Sequence, residues 1–463
     1  MRTTAMVMTA VLALAASASA VEHASDWPHF LGPDYNQTSP ETGLLREWPK
    51  DGPEVLWRAP LAQGWNAPSV AGDDVVACWT EPGGQSAKQE GVVCLDAKTG
   101  KARWRQVYDC TQYWKASIGW GQGGVRASPC ITEKLVFTLG AAGDLFCFDR
   151  RTGNPVWRRD LSKEWTMSGE KGWSFSPIVV DGKLIIYVGD GGLRADDPTD
   201  KKKSSEDFTG RFAVCLGLDP QTGKDLWVWQ VPHVVTSRRG EANTPIAAKF
   251  AGRDCVVLYG QTAFVALGAS DGKEVWRLDL AKGERATNAA PLIRVGNTFW
   301  GPTDQSTYLF EVDGDQPPFT VKQLWRKYGI PSSIVINPVY FDGCLYGMAG
   351  GYPPDFPGKP IDRGRQEFVC IDFKTGKVLW REKGFGNSAS QILADGLVFA
   401  RSFQTLHLVE PSPNGYVEKG RFKTHDVAGG YPSMCDFIMP VLSSGRLYVR
   451  TGSELLCLKV AAQ

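Results

Sequence analysis

Charge of one sign is what this chain lacks most plainly. Among 463 residues, 51 Lys and Arg stand against 50 Asp and Glu, a net charge of +1. That balance removes the basic footprint of a nucleic-acid binder. Beyond the first twenty residues no apolar run approaches the length of about 20 that a membrane-spanning helix needs. There is no Cys-x-x-Cys, and His23, His29, His233, His407 and His425 form no close pair, so a zinc site has no support. No nucleophile elbow, His-Glu-x-x-His or dinucleotide fingerprint occurs. Several Thr-Gly-Lys triplets resemble phosphate loops, but Lys101, Lys224 and Lys377 are followed by Ala102, Asp225 and Val378 rather than Ser or Thr. With 51 Gly, 29 Pro and 43% hydrophobic residues, the chain is neither low-complexity nor disordered.

Trp and Cys are abundant instead, 17 and 11 respectively. Their setting follows from the first residues. Arg2 is the only charge there, Ala5–Ala16 is apolar, and Ala18-Ser19-Ala20 is a signal-peptidase pattern. About a dozen apolar residues cannot cross a bilayer. Residues 1–20 are therefore expected to be a cleaved signal peptide and the remainder exported, to the periplasm or beyond the cell. No Cys follows the cleavage site, so lipid attachment is not indicated. Eleven Cys in an exported chain raise the question of a disulfide framework. The chain is long enough to bury a core without one, and an odd count leaves a thiol over.

The sequence repeats. A strand headed by Pro, running through apolar residues into an Asp-Gly-like turn, begins at Pro68, Pro129, Pro177, Pro245, Pro291, Pro338 and Pro440. The last two lie 102 residues apart, two units of 51, and the unit between them starts near Ser390 with Pro replaced. A second pattern alternates with the first. It is clearest in Cys94–Trp104 and Cys370–Trp380, recurs at Asp149–Trp157 and Asp219–Trp227, and persists loosely before Trp276 and Trp325. Alternating apolar residues around an Asp-x-x-Thr-Gly turn make a β-hairpin, with Asp bonding the turn and Gly supplying positive φ.

Each unit thus holds four strands, A to D, in about 50 residues, as a propeller blade does. Eight units are counted. The last ends at strand C, Leu455–Lys459, and its missing strand D is found at the other end: Glu54-Val55-Leu56-Trp57-Arg58 matches Glu274-Val275-Trp276-Arg277. The expected fold is all-β, an eight-bladed β-propeller of four-stranded antiparallel blades, closed by the N-terminal strand completing the last blade. The chain divides accordingly into 1–20 (signal), 21–53 (leader) and 54–463 (propeller).

The Asp-x-x-Thr-Gly-Lys-x-x-Trp hairpins, with the leader Asp26-Trp27-Pro28-His29-Phe30-Leu31-Gly32-Pro33, resemble the pyrroloquinoline-quinone (PQQ) repeat of secreted bacterial propellers. That family includes PQQ- and calcium-dependent alcohol dehydrogenases and non-enzymatic BamB-type assembly factors, and fold does not choose between them. The dehydrogenases typically carry adjacent cysteines over the cofactor; this chain has no Cys-Cys pair, and their calcium-binding Glu and Asn and catalytic Asp are not assigned to matching positions in it.

The seven strand-D tryptophans (57, 104, 157, 227, 276, 325, 380) are expected to fill seams between blades. Cys94, Cys147 and Cys370 share a slot with Ala266, so they read as small buried hydrophobes, with Cys457 and Cys215 alongside. Cys78 with Cys94 is the disulfide to check. Asp196, Asp197 and Asp200, beside Lys201–Lys203, read as a solvated loop rather than a calcium site.

Length variation falls in the B–C and D–A connections, which emerge on one face, while A–B and C–D turns are tight. Long loops on a rigid scaffold carry function. Candidate binding residues there are Trp65, Trp114, Trp120, Trp165 and Trp173 with Arg126 and Arg238, and near strand-A starts Asn66, Asn243, Asn288, Asn337 and Asn387. Tyr113, Phe175 and Arg239 lie among them. The expected function is a non-catalytic, monomeric scaffold taking a protein, peptide or ligand on this face, with no catalytic residue, metal or cofactor assigned. The alternative, from the resemblance, is a PQQ- and calcium-dependent dehydrogenase.

Overall fold

The computed structural model describes residues 25–81, 87–110, 124–167, 173–193, 211–232, 244–260, 262–284, 291–303, 306–314, 316–328, 338–349, 367–385, 389–402, 404–425 and 438–462. They form eight antiparallel sheets, each with A-B-C-D strand order. Blade 1 comprises Ser69–Ala71, Asp74–Thr80, Gln89–Asp96 and Ala102–Asp109. Blade 7 (Ala389–Ala394 to Val417–Lys423) is the unit without its Pro. Blade 8 consists of Val441–Ser443, Arg446–Arg450 and Glu454–Lys459, and Glu54–Pro60 is its strand D, pairing Trp57 with Cys457. The ring closes as the repeat arithmetic requires, leaving no blade short of a strand.

Burial follows from position in the ring. Strands B and C lie between neighbouring blades and read as unbroken apolar runs, such as Val75–Trp79, buried throughout. Strands D alternate exposed and buried residues and form the outer edge. Strands A touch one another between blades 8, 1 and 2 and between blades 5, 6 and 7. The small polar residue ahead of Pro tethers these inner strands: Ser128 N–H donates to Ser176 Oγ (3.0 Å) and Ser176 N–H to Thr244 Oγ1 (3.1 Å).

Each strand-D Trp lies across the seam to the next blade. Nε1–H of Trp57, Trp104, Trp157, Trp227, Trp325 and Trp380 donates to a carbonyl of the following blade's C–D turn, at 2.5–3.0 Å. The ring covers the glycine of that turn. A Cβ on Gly100 would stand 2.7 Å from Trp57, and one on Gly153 would stand 2.5 Å from Trp104. Gly at this turn is thus required twice, for its positive φ (69° at Gly100) and for the indole above it. In five blades the Trp pairs within its own blade with Cys94, Cys147, Cys370, Cys457 or Ala266, the small slot read from the sequence, whereas in blade 5 Trp325 faces Leu309. In blade 3 that slot is Gly217, and Cys215 lies two residues away on the same face.

Blade 7 has Gly420 where the others have Trp. The leader repairs it: Trp48 N–H bonds Lys419 O (3.0 Å), and a Cβ on Gly420 would sit 2.6 Å from Trp48 Cβ. Trp48 meets Phe399 at 6.1 Å, as Trp57 meets Tyr448 at 5.9 Å and Trp157 meets Phe137 at 6.1 Å. Earlier leader residues lie on the axis. Trp27 bridges Val70 of blade 1, Pro28 O accepts from Ile131 N of blade 2, and Thr38–Ser39 runs parallel to strand A of blade 7. Asp26 and Glu41 bond the A–B turns at Gly72 and at Ser444 and Gly445, so this closure is on the short-turn face.

The ten described cysteines are buried free thiols; Cys435 lies outside the described residues. No disulfide joins Cys78 to Cys94. The register pairs Cys78 with Val92 and Cys94 with Val76, so the two never stand opposite. Among the described residues no helix is long and apolar enough to cross a membrane.

Candidate functional site at the long-loop face

The connection from blade 8 into blade 1, residues 61–68, is the best-defined part of the long-loop face. Leu61 N–H bonds Ser453 O (2.9 Å) and Trp65 N–H bonds Val125 O (2.8 Å), tying it to blade 8 and to the entry of blade 2. Asn66 lies beneath. Its Nδ2 donates to Cys78 O and Val125 O (both 3.1 Å), and its Oδ1 accepts from Cys78 N (3.2 Å) and Arg450 Nη1 (2.9 Å). These four bonds engage the whole amide inside the protein. Arg450, fully buried, also donates to Cys78 O (2.7 Å) and Ala62 O (2.9 Å), and Arg401 of blade 7 donates to Arg450 O (2.6 Å). Burial and the nearby carboxylate of Glu90 push the Cys78 thiol up, against the pull of Arg450.

Two arginine–tryptophan stacks flank this connection. Arg126 lies 4.8 Å over Trp65, both half-buried, and Arg105 lies 4.3 Å over Trp79. Beside the second stack a cleft of about 450 Å³ opens between blades 8 and 1. Pro60, Leu61 and Val93 form its apolar walls, and Gly452 and Ser453 lie on the rim. This volume falls within the range of small-molecule sites.

A buried acidic cluster marks the next seam. Glu90 of blade 1 accepts from Tyr108 OH (3.1 Å) and from Ala141 N of blade 2 (3.3 Å). Burial pushes its carboxyl up to about 7, against the pull of those two hydrogen bonds. Asp144, its neighbour, is also raised by burial although Arg158 holds it at 2.6 Å.

The remaining predicted residues divide. Trp165 (in Trp165–Met167, which pairs with the extended strand B of blade 3), Trp173 and Phe175 are buried, so they pack their own connection. Trp114, Trp120, Arg238, Asn243, Asn288, Asn337 and Asn387 lie outside the described residues, as do Tyr113, Arg239, Asp196, Asp197 and Asp200. Sequence reasoning missed Trp79 and Arg105. The signal was available in that Trp79 breaks the one-Trp-per-strand-D rule, and strand D of blade 1 places Arg105 next to its Trp104.

A family model described as outer membrane protein assembly factor BamB matches residues 89–206 and 211–337, more than half of the chain. The chain belongs to this family. Two curated BamB proteins are similar to it. The one from Burkholderia pseudomallei is 25% identical over 190 residues, 39% of this chain and 48% of that protein. The one from Aliivibrio fischeri is 35% identical over 65 residues, 12% of this chain and 17% of that protein. The chain thus spans about half the length of the first and under a fifth of the second. Among solved structures, the quinohemoprotein alcohol dehydrogenase of Comamonas testosteroni aligns at TM-score 0.64 and 13% identity, over 95% of this chain and 81% of that one. BamB from Moraxella catarrhalis aligns at 0.56 and 13%, over 88% and 99%. At such identities the structural likeness concerns the fold.

The fold is thus shared with a quinohemoprotein alcohol dehydrogenase as well as with BamB. Among the described residues no three His, Cys, Asp or Glu side chains cluster to hold a cation.

Proposed function

We propose that this protein is an exported, non-catalytic PQQ-repeat propeller that holds a protein partner on its long-loop face. Membership of the BamB-type family carries the reading, since the relatives bear the name of an assembly factor. The molecule's asymmetry supports the choice of face. The leader covers the axis on the short-turn side, while the opposite side bears the long connections and both arginine–tryptophan stacks. Trp and Arg are the residues enriched where partners bind most tightly.

Site-specific photocrosslinking in the cell envelope tests this. A photoreactive residue at Trp65 or Arg126 should yield a discrete adduct with a second protein, and one at Lys98, in a short C–D turn, should not. Equal yields from both faces would refute the assignment. Dye-coupled alcohol oxidation on adding PQQ with Ca²⁺ would establish the dehydrogenase alternative instead.

A further inference from the structure

In seven of the eight blades the residue after the strand-D Trp, or after the Gly420 that replaces it, is arginine: Arg58, Arg105, Arg158, Arg277, Arg326, Arg381 and Arg421. Six of them pair with a carboxylate: Arg58 with Glu454, Arg158 with Asp144, Arg277 with Glu274, Arg326 with Glu284, Arg381 with Glu367, and Arg421 with Glu418. Arg105 is the exception. Among the described residues no acid pairs with it, and it lies on Trp79.

The register shows where a partner would stand. In blades 2, 6 and 8 the acid stands three residues before the cysteine opposite the Trp, as Asp144 before Cys147, Glu367 before Cys370 and Glu454 before Cys457. The corresponding residue in blade 1, before Cys94, is Gly91. Trp79 lies over it so closely that a Cβ would fall 2.4 Å from the indole. With glycine at this position and an indole over it, the Arg105 guanidinium is exposed beside the cleft.

The cleft itself arises from unequal strand lengths. Strand D of blade 1 continues to Asp109, five residues past Trp104, whereas that of blade 8 ends at Pro60, three past Trp57. The upper part of strand D in blade 1 therefore reaches beyond the end of strand D in blade 8. Trp79 Nε1–H is buried without an acceptor among the described residues. Glu454, on the opposite rim, is neutralised by Arg58 at 2.6 Å.

We propose that this cleft binds a small monocarboxylate with an apolar body, whose carboxylate takes the role of the acid missing from blade 1. A guanidinium lying over an aromatic ring keeps N–H groups free for carboxylate binding. The apolar body lies against Leu61, Val93 and Pro60. The Arg105–Trp79 stack belongs also to the face of the partner reading, but small-molecule binding and partner crosslinking are read out separately, so the failure of one is distinguishable from the failure of the other.

The test uses 4-phenylbutyrate and its uncharged counterpart 4-phenylbutanol, titrated by calorimetry into the mature protein. The carboxylate should bind saturably and about tenfold tighter than the alcohol. Arg105→Met should erase that preference, and Ser453→Phe, at the exposed rim, should block both probes. Near-ultraviolet circular dichroism checks the fold of each variant. Equal binding of the two probes, a preference that survives Arg105→Met, or no saturable binding of phenylbutyrate by about 10 mM would overturn the proposal. So would unchanged binding to a folded Ser453→Phe.

Discussion

Gly420 and Trp48 together fill a place against blade 7 that a single strand-D Trp fills in each of the other seven blades. The packing is mutually exclusive: a side chain on Gly420 has no room while Trp48 is present. Trp48→Gly should therefore cost about 3–5 kcal/mol, as loss of a buried aromatic does. Gly420→Trp alone should also destabilise, by overpacking. Combined, the two should recover much of the loss, because a strand-D Trp then occupies its usual seat. Urea unfolding of the four proteins measures the coupling, and simple additivity would contradict the stand-in role. Glu90 makes a prediction of a different kind. Its folded carboxyl titrates at about 7, above its ordinary 4.5, so the native state holds a proton that the unfolded chain releases. Stability from this group is complete below pH 4.5 and is lost as pH rises through 7. Asp144, Tyr108, Cys110 and Arg158 share the site, so the comparison is made against Glu90→Gln, which keeps an acceptor but cannot ionise. Between pH 5 and 8 the wild type should lose about 2–3 kcal/mol relative to that variant. Parallel pH profiles would show that Glu90 does not titrate in this range.

At the scale of strands and turns, the sequence revealed what recurs and concealed what differs. The hairpins could be read because their chemistry is local. Asp96 Oδ1 accepts from Thr99 N (2.9 Å) and Thr99 Oγ1 (2.9 Å) and Gly100 takes positive φ, and the same bonds recur at Asp149 and Asp372. Ring closure could be read because Glu54–Arg58 carries the strand-D pattern at the wrong end of the chain. The cleft could not. It depends on Gly91 facing Trp79 and on two strands ending at different heights, which are relations between neighbours and invisible to a repeat profile. Asn66 shows the same limit: as a sequence feature it suits a channel mouth or a turn, and only its four bonds place it under the connection. Trp48 was concealed because it lies before the repeats begin, in a segment with no periodicity of its own.

For the whole molecule, the consequence is that the ring is fastened twice. Glu54–Pro60 closes it through the hydrogen-bonded sheet of blade 8, and residues 27–48 fasten it again by spanning blades 1, 2, 7 and 8. The second fastening touches only part of the ring, and blades 3 and 4 hold each other without it, for example through Tyr187 OH to Tyr259 O at 2.5 Å. Removing residues 21–48 while keeping the closing strand should thus leave a folded propeller with uneven stability. Amide exchange should accelerate in strands A of blades 1, 2 and 7 and in strand D of blade 7, whereas blades 3 and 4 retain their protection. Each lost contact is local, so the weakening is confined to the seams that the leader bridges. A uniform rise in exchange across all eight blades would mean instead that the ring opens as one unit, with the leader as its latch.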